Sequence, residues 1–323
     1  MVAAIRVIGV SAGAIDTRPL PPPLHPATTA RVTRLPFLVA LIGIATYSLM
    51  DAAMKSLALA HGAYPALWWR SVAGVALVAP LFVLRGGRWP ARAVLMLHLQ
   101  RGVPACASGL LFFWGLARVP MAQAVALTFP IPIMALFLAR ALLGEPLPRR
   151  ALAGAGVATA GVLVIARGQA GGAGDMLGTL ALLGAAFFYA VSLIALRRQA
   201  QAASAIEVTL FTGLVFALLL CLGAALDAAS GGALGLARLP ATGDLPLIAL
   251  AALLGSGSAT LIAWAYARGP AGLLSLSEYS AFIWAALLGA LLFDERVSLF
   301  TLGGAALIIA GCLVALGGRE ERA

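Results

Sequence analysis

Three polar residues follow one another inside the first long apolar stretch of the chain. Tyr47, Asp51 and Lys55 are four residues apart, so a helix would carry them on one face. Burying a charge without a partner is unfavourable, so a charged residue in such a stretch indicates a function unless it is neutralised. We expect Asp51 to face a cavity, as a proton carrier or a substrate contact. The alternative is an Asp51–Lys55 ion pair, with the ammonium group of Lys55 extending to the outer surface.

Three further ionisable residues lie in other apolar stretches. Glu278 is flanked by Tyr279 and by serines, which makes its surroundings the most polar of any apolar stretch. We expect Glu278 to contact a cationic or hydrogen-bonding substrate, or to pair with a basic residue on another helix, for which Arg70 is the candidate. Arg70 and Arg101 are also predicted substrate or coupling residues, although either long side chain could instead reach the membrane interface.

Prolines and aromatic residues supply two more candidate features. Pro130 and Pro132 each remove a helical hydrogen bond, and irregular backbone is tolerated in a membrane only where it is buried or lines a cavity. We favour a cavity-lining kink or hinge over a kink that only serves packing. Aromatic side chains could form walls around a ring-bearing ligand, and the candidates are Trp114, Tyr189, Trp264, Tyr279 and Trp284.

The residue types that catalysis or metal binding requires are scattered along the chain. The three histidines, His25, His61 and His98, are far apart, and no His-x-x-x-His or Asp-rich element occurs. The three cysteines lie in apolar runs, and no Walker A loop is present. We therefore predict no cofactor and no metal ion, and a membrane-embedded enzyme or haem protein is disfavoured.

The composition indicates that these residues belong to a membrane protein. The 323-residue chain is 62% hydrophobic with a mean hydropathy of +1.00, and 11% of its residues are charged, against roughly 25% in soluble domains. Apolar runs of about 20 residues span a bilayer as helices. We predict an all-α integral membrane protein with residues 1–36 as a disordered cytoplasmic tail. The ten predicted spans are 37–57, 65–84, 95–117, 120–141, 150–167, 176–196, 206–226, 245–267, 270–292 and 298–316.

The distribution of basic residues predicts the orientation in the membrane. The net charge is +10, but the basic residues are spread over short loops, so no nucleic-acid partner is predicted. Of the 22 lysines and arginines, 14 fall in loops on the side of the amino terminus and 4 in loops on the other side. Loops rich in lysine and arginine stay inside. Both termini are therefore predicted to be cytoplasmic, in a protein of the inner (plasma) membrane.

The two halves of the chain are related by an internal repeat. Residues 108–168 align without a gap on 258–318, with 19 identities in 61 positions. Each half holds five predicted spans, and an odd number means that the second half enters the membrane in the opposite direction. Inverted repeats of helices are typical of secondary transporters, which bind substrate near the midplane between the halves.

Both repeats carry the same order of short motifs. The first copy reads Arg118-x-Pro120-x-Ala122, Pro132, Leu143-Gly144-Glu145-Pro146-Leu147 and a Gly-rich helix with Gly154 and Gly161. The second copy reads Arg268-Gly269-Pro270, Phe293-Asp294-Glu295-Arg296-Val297 and a Gly-rich helix with Gly304 and Gly311. This order resembles the EamA repeat of the drug/metabolite transporter (DMT) superfamily.

Four acidic residues, Glu145, Glu278, Asp294 and Glu295, lie in or near these motifs. A carboxylate near a helix N-terminus offsets the macrodipole, so Glu145 and Glu295 are predicted to cap the Gly-rich helices that follow them. Two positions depart from the family pattern. Glu278 lacks the proline that follows it in many members, and Asp294 replaces the usual glycine, which leaves the conformation of that outer turn open.

The resemblance implies a bundle of ten transmembrane helices in two inverted five-helix repeats, over residues 37–168 and 175–317, around a central cavity. Spans 1–4 and 6–9 would line the pathway, and spans 5 and 10 would pack outside through small residues.

The resemblance also implies a secondary transporter of a small amphipathic metabolite, working by alternating access with ion or proton coupling or by exchange. The pattern around Tyr279 and Trp284 is most like members linked to S-adenosylmethionine or riboflavin, and an amino-acid-like substrate also suits the mixed charges. Import and export are both compatible with the sequence. The expected partners are this substrate and the lipid bilayer, with the chain a monomer or a weak homodimer. A non-carrier channel or scaffold is the alternative.

Overall fold

The computed structural model describes residues 34–143, 149–169, 175–266, 268, 274 and 277–316, and this part of the chain is all-helical. No residue in those ranges belongs to a β-strand. Helices α1 to α11 are, in chain order, Arg34–His61, Ala63–Leu84, Arg92–Leu116, Met121–Ala126, Ile131–Leu143, Arg149–Gln169, Met176–Ala202, Ala205–Ala229, Leu245–Tyr266, Ser280–Phe293 and Leu299–Leu316. A short 3-10 helix, Thr242–Asp244, precedes α9.

The apolar helices agree with a multi-pass membrane protein. Seven apolar segments of the described residues are long enough to cross a bilayer, and they lie in α1, α2, α4–α5, α6, α7, α8 and α9. Helices α10 and α11 are shorter apolar helices, and α3 carries His98 and Arg101 in its first half. The all-α prediction is confirmed, whereas ten spans in two inverted repeats stay a prediction. The predicted tail lies outside the described residues up to position 33, and α1 begins at Arg34.

Two predicted spans differ from continuous helices. The fourth, 120–141, is divided into α4 and α5 by a turn at residues 127–130. Pro130 and Pro132 lie at this break, because neither can donate a backbone hydrogen bond to the preceding turn. In the ninth, 270–292, the described helix α10 begins at Ser280, and most of the residues before Ser277 are not described.

Helices of the first half pack against helices of the second half in a reciprocal pattern. Helix α1 packs on α9 and α3 packs on α7, while α2, α4 and α6 pack on α8, α10 and α11. Exchanging the two halves interchanges the α1–α9 and α3–α7 pairings and leaves the other three unchanged, if α4 and α5 count as one span. The helix starts agree with a constant offset, since α1 and α7 begin at Arg34 and Met176, while α2 and α8 begin at Ala63 and Ala205. A two-fold relation between the halves would produce this pattern.

Glycines bring α6 and α11 into close contact. Gly154 opposes Gly311 and Gly161 opposes Gly304, and a Cβ atom on Gly161 would lie 2.6 Å from the Gly304 carbonyl oxygen. The contacts occur in opposite order along the two helices, so α6 and α11 cross antiparallel. Small residues allow such close backbone approach between membrane helices, as the glycine spacing in the sequence predicted.

The turn after α10 has a left-handed conformation at the position where the family pattern has glycine. Asp294 ends α10 with φ +52° and is the only non-glycine among the described residues with a positive φ. Aspartate tolerates this left-handed conformation better than most residues because its short polar side chain can bond locally. The chain then reaches α11, where the Ser298 hydroxyl accepts a hydrogen bond of 3.0 Å from the Thr301 N–H.

Candidate functional site

The polar face of α1 carries two charged residues that take different partners. Asp51 is 3% exposed, and its Oδ1 atom is buried without a hydrogen-bond partner among the described residues. Lys55, one turn further on, is also buried, forms an ion pair with Glu295 and donates a hydrogen bond of 2.8 Å to the Val119 carbonyl. An Asp51–Lys55 ion pair is therefore a wrong alternative, because Lys55 is held by a loop of the second half.

Glu295 connects Lys55 to the start of α4. Its Oε2 atom accepts a hydrogen bond of 2.7 Å from the N–H of Met121, the first residue of α4, while Oε1 contacts Lys55. The prediction that Glu295 caps the following helix is wrong, because Ser298 caps α11 and the carboxylate offsets the positive N-terminus of α4 instead. We call Lys55, Glu295, the Val119 carbonyl and the Met121 N–H the Lys55–Glu295 clasp. Glu145 lies outside the described residues.

A cavity of about 220 Å³ lies between α2, α3, α8 and α9. Arg70 of α2 and Arg101 of α3 line it, and Arg101 Nη1 donates a hydrogen bond of 2.8 Å to the Thr212 hydroxyl of α8. Gly255 of α9 makes room for the other guanidinium group, since a Cβ atom there would lie 3.0 Å from Arg70 Nη1. Small and apolar residues form most of the remaining wall.

The arginines of this cavity have unused hydrogen-bonding capacity. Within the described chain, Arg70 Nε and Arg101 Nε are buried without a hydrogen-bond partner. Arg70 Nη1 faces the Met50 sulfur at 3.9 Å, which is a weak acceptor, and its charge lies within electrostatic range of Asp51. Buried polar groups are nearly always paired, so these two Nε donors are exceptions among the described residues.

Two tyrosines extend this group. Tyr47 of α1 and Tyr189 of α7 occupy equivalent positions of the two halves, with the same offset as the starts of these helices, and are 45% and 40% exposed. Tyr47 lies within electrostatic range of Tyr189, Asp51 and Arg70, and Tyr189 lies within range of Arg101. The structure thus brings together five of the predicted site residues, namely Tyr47, Asp51, Arg70, Arg101 and Tyr189.

Glu278 has a different partner from the one suggested by the sequence. The Tyr266 hydroxyl, at the end of α9, donates a hydrogen bond of 2.5 Å to Glu278 Oε1. The suggested pairing with Arg70 is wrong, because Arg70 lies beside Tyr47 and Asp51. Glu278 is exposed and lies within electrostatic range of Tyr189.

The break in the fourth span packs against α11. The Phe129 carbonyl accepts a hydrogen bond of 3.1 Å from the Cys312 thiol, and the Phe129 ring meets Tyr279 edge to face with 5.2 Å between centroids. Phe129 and Tyr279 are equivalent in the repeat. Pro130 and Pro132 are not among the lining residues of the cavity of Arg70 or of a second one beside Lys55, and their cavity-lining role stays a prediction.

The tryptophans of the repeated Trp-x-x-x-Arg segment are each covered by a guanidinium group. Arg118 lies 3.4 Å from the ring centroid of Trp114, and Arg268 lies 4.4 Å from that of Trp264. One ring face of each tryptophan is therefore already occupied. Trp284 differs, because its Nε1 donor is buried without a partner in the described part of the structure.

Sequence reasoning missed a buried polar cluster between α3, α7 and α8. His98 is fully buried, with Nδ1 2.6 Å from Gln199 Nε2 and Nε2 3.4 Å from Glu207 Oε1, and its ring stacks on Phe211. His98 is isolated in the sequence because its partners, Gln199 and Glu207, are more than 100 residues away. The available signal was that each of these polar residues lies near the end of an apolar helix, where the three could meet. Among the described residues, no group of three or more metal-ligand side chains occurs.

Comparisons with known proteins agree on one family. Residues 34–167 and 176–317 each match the profile of the EamA-like transporter family. An uncharacterized transporter of Helicobacter pylori is 29% identical over 210 residues, covering 64% of this chain and 69% of that protein. The pseudopaline exporter CntI of Pseudomonas aeruginosa is 25% identical over 276 residues, covering 85% of this chain and 94% of the exporter. A solved crystal structure with 23% identity and a TM-score of 0.56 covers 92% of this chain and 100% of its own, which is a similarity of fold.

Proposed function

Because the chain belongs to the EamA-like transporter family of the DMT superfamily, we propose that it is a secondary transporter of a small amphipathic metabolite. The proposed cycle is alternating access between two inverted five-helix halves in the inner membrane, with both termini in the cytoplasm. Transport is driven by an ion or proton gradient or proceeds by exchange. The exporter of pseudopaline among the relatives supports a small metabolite as cargo.

The observation that carries this proposal is the arginine-lined cavity between the halves. Helices α2 and α3 belong to the first half and α8 and α9 to the second, so the cavity lies on the boundary that alternating access would open and close. Ionisable residues inside a membrane are costly and are retained for function. A substrate in the cavity would supply acceptors for the N–H groups with which Arg70 and Arg101 line it.

Asp51 is the proposed coupling residue. It is buried on α1, its Oδ1 lacks a partner among the described residues, and it lies within electrostatic range of Arg70. Protonation of this carboxylate would therefore change the field that Arg70 presents to the cavity. Tyr47, Tyr189 and Glu278 are the proposed contacts next to this centre.

The Lys55–Glu295 clasp is the proposed gate at the predicted outer end. It joins Lys55 and Met121 of the first half to the loop between α10 and α11 of the second. Opening the pathway at this end requires the halves to separate there. The ion pair and the Glu295–Met121 hydrogen bond would then have to break, and both would re-form on closure.

Counterflow in proteoliposomes tests the carrier proposal. Candidate metabolites are first selected by thermal shift of the purified protein with amino acids, S-adenosylmethionine, riboflavin and nucleosides. We expect saturable uptake of the labelled metabolite that is accelerated by unlabelled metabolite inside the vesicles. Arg70→Gln should lower uptake at least tenfold, while Arg88→Gln, the same change on an exposed arginine, should not. Non-saturable uptake without counterflow would contradict a carrier and indicate a channel.

A further inference from the structure

The charges facing the 220 Å³ cavity are unbalanced. Arg70 and Arg101 line it, whereas its described lining contains no aspartate or glutamate. Asp51 lies within electrostatic range of Arg70 but is not part of the wall. Two cations therefore face the empty space, and an anionic ligand would offset the cost of keeping them buried.

Both guanidinium groups can bind a planar anion by donating hydrogen bonds to it. Arg101 uses one N–H on the Thr212 hydroxyl, and the Arg70 contact with the Met50 sulfur is weak. Each also has a buried Nε donor without a hydrogen-bond partner in the described structure. An arginine has five N–H donors in a rigid fork, and an Nε–Nη edge matches the two oxygens of a carboxylate.

Arg70 of α2 and Thr212 of α8, which accepts the hydrogen bond from Arg101, lie at different levels of the helix pair. Tyr64 bonds to the Leu220 carbonyl and Gly213 packs near Val75, so α2 and α8 run antiparallel. In this register the level of Arg70 and the level of Thr212, the partner of Arg101, are about four residues apart, or about 6 Å at the helical rise. Two arginines at different levels can contact different ends of one ligand.

We propose that this cavity binds a small metabolite with two carboxylate groups, one held by Arg70 and the other by Arg101. The proposal rests on the proposed transport function and names its substrate class. A volume of about 220 Å³ is smaller than the roughly 300–1,000 Å³ of pockets for drug-sized ligands, which favours a compact cargo over a large ring system. The small and apolar wall residues contact the carbon chain between the carboxylates.

Matched pairs of ligands provide the test. Binding of glutamate is compared with glutamine, and succinate with succinamate, by thermal shift and titration of the purified full-length protein. Each pair differs by replacement of one carboxylate with a neutral amide of nearly equal shape. We expect the dicarboxylate to bind about ten- to a hundredfold more tightly than its amide, as for loss of a charge-assisted hydrogen-bonded contact.

Variants of the cavity arginines test whether the preference for a dicarboxylate over its amide arises in the cavity. Arg101→Gln should weaken dicarboxylate binding about ten- to a hundredfold and abolish the discrimination between glutamate and glutamine. Arg88→Gln, the matched control on the surface, should leave both unchanged. Arg101→Lys keeps the charge but loses the fork, so it should fold and bind dicarboxylates with intermediate affinity.

The dicarboxylate assignment can be overturned while the carrier proposal still holds. Equal binding of both members of each pair, or stabilisation by inorganic phosphate alone, would overturn the dicarboxylate assignment. Counterflow of another metabolite in the same proteoliposomes would then still support a transporter. Discrimination that survives in Arg101→Gln would also overturn the assignment, because the carboxylate would be bound elsewhere.

Discussion

Asp51 and Lys55 lie one turn apart on α1, yet their surroundings differ in a way that separates two roles. Lys55 is neutralised by Glu295, and the hydrogen bond to the Val119 carbonyl fixes the ammonium group. Asp51 has no such partner for Oδ1 in the described structure, and Arg70 is the cation within its electrostatic range. Lys55 is thus part of the clasp, whereas Asp51 is the residue for which we propose a change of charge during transport.

Replacing Asp51 by asparagine tests the coupling role. Asn cannot lose or gain a proton, so we expect Asp51→Asn to fold normally but to lose at least tenfold in gradient-driven uptake while exchange is retained. Asp294→Asn is the matched control, because Asp294 is exposed and asparagine also adopts the left-handed conformation. Uptake that still follows the proton gradient in Asp51→Asn would remove this residue from coupling.

We make a separate prediction for the carboxylate of Glu278. We expect Glu278→Gln to lower transport with little change in melting temperature, because an amide still accepts the Tyr266 hydrogen bond but carries no charge. Tyr266→Phe is the control, since it removes the hydrogen bond and leaves the charge. Full activity of Glu278→Gln in the uptake assay would exclude the carboxylate from the mechanism.

At the scale of elements, the Lys55–Glu295 clasp ties α1 and α4 to the loop between α10 and α11. Lys55→Met would leave the Glu295 carboxylate without its cation, and breaking a buried pair in this way typically costs about 3–5 kcal/mol. We expect a clear drop in melting temperature for Lys55→Met.

The double variant separates the ion pair from simple packing. Lys55→Met with Glu295→Gln should recover part of the lost stability, because no uncompensated charge remains. A thermal denaturation series of the wild type, both single variants and the double variant measures this coupling. Strictly additive changes would show that the two side chains do not depend on each other.

The contact between α6 and α11 predicts a position-dependent effect of side-chain size. A side chain at Gly161 would meet the Gly304 carbonyl, whereas nothing lies within 4 Å of a Cβ atom at Gly156 on the same helix. Gly161→Leu should therefore lower the yield and the melting temperature, with a cost of about 1–3 kcal/mol or more, and Gly156→Leu should not. Equal behaviour of the two variants in a thermal shift assay would contradict this packing.

The elements and their faces could be predicted from sequence, and the partners between elements could not. Spacing along single helices indicated Tyr47, Asp51 and the glycines, because a helical period fixes which residues share a face. Lys55 and Glu295 are 240 positions apart, and no periodicity in either segment specifies which helices meet. Only the internal repeat carried long-range information, and it gives equivalent positions rather than contacts.

At the scale of the whole molecule, the surplus of basic residues on one side predicts where the termini lie. In the predicted ten-span arrangement, 14 of the 22 lysines and arginines fall outside the spans, or at the first residue of one, on the side of the amino terminus. We expect a fluorescent protein fused to the carboxyl terminus to be bright, and alkaline phosphatase fused there to be inactive, because both results require a cytoplasmic terminus. An active phosphatase fusion would reverse the predicted orientation.

The contact between α6 and α11 is of the kind that two copies of one chain make with each other. Gly161 meets Gly304, and Gly304 is the repeat equivalent of Gly154, so the same surface serves both sides as in an isologous dimer. Joining the halves in one polypeptide frees each to diverge. Arg70 corresponds to Thr212 in the second half, so one wall of the cavity has a cation where the other has a hydroxyl. A symmetric dimer of identical subunits could not place a cation on one wall of the cavity and a hydroxyl at the equivalent position of the other.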